Sequence, residues 1–130
     1  SFIRTGLTGT DIGITYLLPR LIGAARAFDM IVTGREVDAD DAERMGLVSR
    51  VAFDDELMDV ALSTARTIAG YTTTGLTLTK EVMWANLDAP NLETALELEN
   101  RTQVLTGTGE DAAEARAAFL ERRPPRFRGT

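Results

Sequence analysis

Residues 32–51, VTGREVDADDAERMGLVSRV, carry the most legible local code in this chain. Thr33-Gly34 reads as the end of a helix, because glycine takes the positive φ of a helix end without a Cβ penalty. Arg35-Glu36-Val37 has the extended look of a very short strand. Asp38 then offers an N-cap carboxylate, Asp41 stands three residues on in the capping-box position, and Asp40 adds negative charge to the first turn. The spacing predicts a helix over Ala39–Met45 closed by Gly46, and a further short strand over 47–53. No nucleophile and no metal-ligand spacing occur in the stretch, so it organises the chain and catalyses nothing.

This layout resembles the pattern LTGR-x-x-x-A-x-x-A-x-x-x-GLV-x-x-V of the enoyl-CoA hydratase/isomerase (crotonase) family. Gly34, Arg35, Ala39, Ala42, Gly46, Leu47, Val48 and Val51 fall at the matching places. The resemblance implies an α/β crotonase-like (ClpP/crotonase) fold, of which this chain is the mostly helical C-terminal portion with a few short strands. Residues 1–53 would be the end of the core with its βαβ-like unit. Residues 54–130 would be a helical region for oligomerisation and CoA contact. The chain opens on Ser1-Phe2-Ile3 without a methionine. The resemblance implies about as much family sequence again ahead of Ser1, so a fragment is expected.

The 130 residues are 44% apolar and 26% charged, an ordinary globular composition for one domain's length of chain. A net charge of −6 argues against nucleic-acid binding, which wants a basic surface. The charge is uneven: Arg122, Arg123, Arg126 and Arg128 crowd the end of an otherwise acidic body. Such a tail suits a compact anion or is simply solvated. There is no cysteine and no histidine, which removes disulfides, thiolate zinc sites and Ser-His-Asp or Cys-His catalysis within the chain. No metal and no cofactor is expected, apart from coenzyme A as part of a substrate. Acid–base work would fall to Asp or Glu. No apolar run approaches the roughly 20 residues of a membrane span, and no signal peptide is visible. A cytoplasmic protein without membrane contact is expected.

Upstream, residues 2–7 read as the end of a strand and Thr8-Gly9-Thr10-Asp11 as a turn. Asp11 would cap a helix starting near Ile12, with Ile14, Leu17, Leu18 and Leu21 as its apolar stripe. Pro19 predicts a kink, or two short helices divided near Leu18. After Gly23, a helix over 24–32 would turn Ala27, Phe28 and Ile31 inward. The glycines at 6, 9 and 13 lack the G-x-G-x-x-G spacing and no G-K-[ST] follows, so they make no phosphate loop.

Downstream, Asp54-Asp55-Glu56 opens a helix lined by Leu57, Ala61, Ala65 and Ile68 and stopped by Gly70. A threonine cluster at 72–74 caps a helix over 76–87, which carries Trp84 and, on a solvated face, Lys80 and Glu81. Asn91 caps a helix over 92–105. Thr108 and Asp111 are placed as a further capping box for a helix over 110–123, with Ala112, Ala115, Phe119 and Leu120 on its apolar side. Pro124-Pro125 ends it. The apolar faces within 72–123 exceed what one small layer covers and predict packing against another subunit or domain. The family resemblance implies a homotrimer or hexamer.

Two places could carry chemistry. From the residues alone, Asp11 is a helix N-cap. The resemblance implies more, since in crotonase relatives this turn lines the acyl-thioester pocket, which makes Thr8 and Gly9 substrate-binding candidates. In the dienoyl-CoA isomerase branch an aspartate followed by a small apolar residue and glycine is a catalytic acid/base. Asp11-Ile12-Gly13 is similar to that pattern, with one extra residue back to Gly6-Leu7. The hydratase pattern also places a glutamate about eight residues earlier, at or beside Ile3, and no carboxylate stands there. The family's other catalytic glutamate and its oxyanion-hole N–H groups would precede Ser1. The second place is the ending AAFLERRPPRFRG, which resembles AF-x-E-K-R-x-P-x-F. It puts Arg122 where the family has a basic residue for CoA phosphates. The residues alone read there as a solvated arginine cluster after a helix. The resemblance thus implies an acyl-CoA hydratase or hydratase/isomerase. A double-bond isomerase and a non-catalytic acyl-CoA-binding or oligomerisation module are the alternatives.

Overall fold

In the computed structural model, which describes residues 2–129, helices begin and end largely where caps and glycines stand in the sequence. By internal contact the chain separates into two compact units, one up to Leu57 and one from Met58.

The first unit opens with a 3-10 turn over Phe2–Thr5, not with the expected strand end. Helix α1 spans Ile14–Ile22 and α2 spans Ala24–Thr33. Pro19 lies inside α1, which stays one helix instead of dividing near Leu18. Gly23 separates α1 from α2 at φ 82° and ψ 154°, a corner that lets α2 fold back against α1. The core of this unit is Leu18, Ile22 and Ala27, with Ile14, Met30, Ile31, Met45 and Leu47 packed against it. Phe28 and Leu21, expected inside, are exposed.

Helix α3, Ala39–Met45, forms where it was predicted. The Asp38 carboxylate accepts from the Asp41 N–H at 2.7 Å, and Gly34 and Gly46 close α2 and α3 in the left-handed region. Residues 35–37 and 47–53 are not strands, and no strand occurs among the described residues. The physical reason is partnership. Extended segments need a neighbouring chain for their N–H and C=O groups. Here Val51 N–H finds the Glu43 carboxylate at 3.1 Å, and Leu47 N–H finds the Ala42 carbonyl.

Helix α4 spans Leu57–Ala69, all but its first residue in the second unit, followed there by α5 over Thr73–Asn86, α6 over Leu92–Gly107 and α7 over Glu110–Glu121. Thr72 caps α5 through the Gly75 N–H at 2.9 Å, and Asn91 caps α6 through the Thr94 N–H at 2.9 Å. Helix α5 packs on α6, tied by the Asn86 amide to the Ala95 carbonyl, and α6 touches α7. The Thr108 box does not form. Gly109 is the N-cap of α7, and the Thr108 hydroxyl donates back to the Leu105 carbonyl at 3.0 Å. Asp111 is engaged elsewhere. Phe119 and Leu120 lie exposed rather than on an inner face. Met83, Trp84, Leu87, Leu92, Val104 and Leu105 are exposed as well. No helix of the described residues is long and apolar enough to cross a membrane.

Candidate functional site

The turn ahead of α1 is built from the backbone upward. Asp11 does not cap the helix as expected; its Oδ1 accepts from the adjacent Ile12 N–H at 2.8 Å. Gly13 is the N-cap, in the left-handed region and without a capping side chain. The reason is the turn that precedes it. Ile12 and Gly13 both have positive φ, at 43° and 82°, and Ile14 N–H returns to the Asp11 carbonyl at 3.0 Å. Two positive φ values inside a four-residue closure make a tight turn of the mirror-image type, which swings the Asp11 side chain away from the helix end. A β-branched residue rarely adopts this conformation, and Ile12 does so while 85% exposed. No local pattern signals this: nothing in Asp11-Ile12-Gly13 distinguishes one positive φ from two.

Thr8 and Thr10 hold hydroxyl to hydroxyl at 2.8 Å on the other limb of the turn. Gly9 is pressed against α2. A Cβ there would lie 2.6 Å from Ile31 Cγ2 and 3.0 Å from the Ile31 carbonyl oxygen. Gly9 also lines an apolar recess of about 130 Å³ with Phe2, Ile14, Leu18 and Met30. The recess has room for a few carbon atoms, and neither Thr8 nor Asp11 lines it. Asp11 itself is exposed, with one backbone donor on one of its oxygens. A carboxylate in that state can take or return a proton from a group placed against it.

Arg122 lies in the second unit. It follows the last residue of α7 at φ 55° and ψ 40°, is exposed, and has no carboxylate of the described residues within ion-pair range. Its neighbour Arg123 is committed, with both guanidinium arms on Glu114 at 2.5 and 3.0 Å and its Nε on Glu121 at 2.5 Å. Glu114 also accepts from the Arg126 N–H at 2.7 Å. The hydrogen bonds from Arg123 and then from the Arg126 backbone hold the Glu114 carboxyl down at about 2. The same pairing pushes the Arg123 guanidinium up. Asp111, only 6% exposed, accepts from Arg128 N–H at 2.7 Å and Gly129 N–H at 2.8 Å. The sequence pattern put Asp111 in a capping box with Thr108, a role it does not play, and did not single out Glu114. The available signal was an acidic pair three residues apart on a helix, followed by an arginine-rich tail.

A family model described as enoyl-CoA hydratase/isomerase matches residues 1–130 of this sequence. The chain belongs to the enoyl-CoA hydratase/isomerase family. It is 44% identical over 129 residues to a probable enoyl-CoA hydratase of Mycobacterium tuberculosis, covering 96% of this chain and 44% of that protein. It is 37% identical to the 1,2-epoxyphenylacetyl-CoA isomerase of Escherichia coli, covering 99% of this chain and 48% of the other. A crystal structure of a putative enoyl-CoA hydratase from Streptomyces coelicolor superposes with a TM-score of 0.91 at 42% identity, over 99% of this chain and 46% of that one. The chain therefore spans about half the length of the family members it matches. Its helices are those of a partial crotonase fold.

Proposed function

We propose that the protein acts on acyl-CoA thioesters in fatty-acid metabolism as an enoyl-CoA hydratase/isomerase-type enzyme, with this chain as the C-terminal part of its fold. The observation that carries the reading is the exposed Asp11 carboxylate, held on a turn of unusual backbone shape beside the Gly9 recess. Chemistry next to a thioester carbonyl moves a proton at carbon while negative charge gathers on the carbonyl oxygen. Asp11 is the acid/base in this chain. Thr8 and Gly9 belong to the acyl-binding turn, and Arg122 meets the CoA phosphates. The oxyanion donors, which carry the larger electrostatic share of such catalysis, are assigned to a part of the fold that this chain does not carry. The division into residues 1–53 as core and 54–130 as the helical region for assembly and CoA contact belongs to the same reading. So do a homotrimer or hexamer, which would cover the exposed Trp84, Leu92 and Val104, and a cytoplasmic location.

Double-bond isomerisation is the second reading. Asp11-Ile12-Gly13 favours it, and the likeness to a 1,2-epoxyphenylacetyl-CoA isomerase supports isomerase chemistry more generally. The experiment is an assay of the intact protein on a 2-enoyl-CoA, for water addition, and on a 3-enoyl-CoA, for migration of the double bond. Asp11→Asn should lower kcat by about 10²–10⁴-fold on whichever substrate turns over. An Asp11→Asn protein with full activity removes Asp11 from the chemistry. Binding of coenzyme A without turnover of either substrate marks a binding module.

A further inference from the structure

The chain after α7 is fastened along the helix it has just left. Asp111 and Glu114 stand three residues apart on α7 and so share a face. Between them they take the N–H groups of Arg126, Arg128 and Gly129 and both arms of the Arg123 guanidinium. Arg122 is the corner at which the chain reverses. It sits in the left-handed region that residues other than glycine seldom hold without support. The four arginines of the tail are thus not equivalent. Arg123 is locked on Glu114 and Glu121, and Arg128 faces Glu110 at 3.8 Å. Arg122 has its backbone fixed on both sides and its side chain in solvent.

We propose that Asp111 and Glu114 are positioning residues that strap residues 123–129 to α7, and that the strap fixes the direction in which Arg122 presents its guanidinium to the phosphates of coenzyme A. This rests on the acyl-CoA reading above. A guanidinium grips a phosphate through paired, directional N–H donors, so the orientation of its backbone decides how well the fork meets the anion. Without the strap Arg122 is held in the left-handed region by the helix-end closure alone, and its side chain is free to point along a different line.

The test uses the intact protein. Calorimetric titration with coenzyme A and with an acyl-pantetheine, which lacks the nucleotide phosphates, is paired with amide exchange at Arg126, Arg128 and Gly129. Glu114→Gln should expose the Arg126 amide and weaken coenzyme A about tenfold, the scale of a charge-assisted contact moved off its best geometry. Acyl-pantetheine affinity should not change. Arg123→Lys keeps the charge, loses the fork and should weaken coenzyme A likewise, which covers the case of a poorly folding Glu114→Gln. Adding Arg122→Ala to either variant should cost less than the same change costs in the parent. Unchanged coenzyme A affinity in Glu114→Gln and Arg123→Lys, with a loss in Arg122→Ala, overturns the positioning role and leaves the phosphate reading standing. Additive losses overturn the positioning role as well. Unchanged affinity in Arg122→Ala overturns the phosphate reading itself, and the proposal with it.

Discussion

Gly46 and Arg122 hold the same backbone post at the ends of two different helices. Each lies in the left-handed region, at φ 81° and 55°. After each, the next N–H returns to a carbonyl five residues earlier, Leu47 to Ala42 at 2.8 Å and Arg123 to Ala118 at 3.0 Å. This is one closure made with two residue types, and only glycine makes it without steric penalty.

Arg122→Gly should therefore raise stability by about 1 kcal/mol, the order of the left-handed penalty at one residue. Denaturant unfolding of the intact protein measures it. The same variant should bind coenzyme A more weakly, because the guanidinium is gone. A gain in stability together with a loss of affinity would mark position 122 as a place where strain is kept for function. A loss of stability would show that the arginine side chain packs.

At α3, Asp38→Ala should cost about 0.5–2 kcal/mol, because the Asp41 N–H loses its acceptor. Asp38→Asn should stay within a few tenths of a kcal/mol of the parent. Equilibrium unfolding of both variants distinguishes the cap from a charge effect, since asparagine keeps the oxygen and drops the charge.

Ile12→Gly should stabilise by about 1 kcal/mol, since the residue is exposed and its positive φ is relieved. Thermal unfolding reads this directly. On the acid/base role proposed for Asp11, turnover of the intact protein should fall in the same variant, because the carboxylate loses its stiff neighbour. Unchanged turnover would separate the shape of the turn from the chemistry.

The Glu114 clip has a definite pH signature. Its carboxyl is lowered from 4.5 to about 2 by the Arg123 hydrogen bonds and the Arg126 N–H. A group depressed on folding contributes stability that is complete above its unfolded value and disappears as pH falls through the folded one. Amide protection at Arg126 should thus be constant from neutrality to about pH 4.5 and lost towards pH 2. Loss of protection already between pH 6 and 5 would contradict the pairing. In Glu114→Gln this acid-induced step should be absent.

What could be read from the sequence was local. The caps at Asp38, Thr72 and Asn91 and the closures at Gly34 and Gly46 depend on residues within a few positions of one another, and all five form. The expected strands depended on partners, which no local pattern supplies, and residues 2–5 coil into a 3-10 turn instead. Asp111 shows the same limit. Its spacing from Thr108 fits a capping box, but the two N–H groups it accepts lie 17 and 18 residues downstream. At the candidate site, the sequence located the turn and its aspartate. It did not disclose that Ile12 would take the left-handed region and so move the cap from Asp11 to Gly13.

The contact of Gly9 with Ile31 also bears on how this turn can vary among natural sequences. With a Cβ-sized gap missing on that side, a larger residue at 9 must lift the whole turn off α2, carrying Thr8 and Asp11 with it. On the proposed acyl-binding role of this turn, drift at the flanking positions would alter which acyl group is met while the placement of the turn stays fixed. A lineage could thus explore new substrates around position 9 without ever changing it, and a substitution there would close off that exploration rather than extend it.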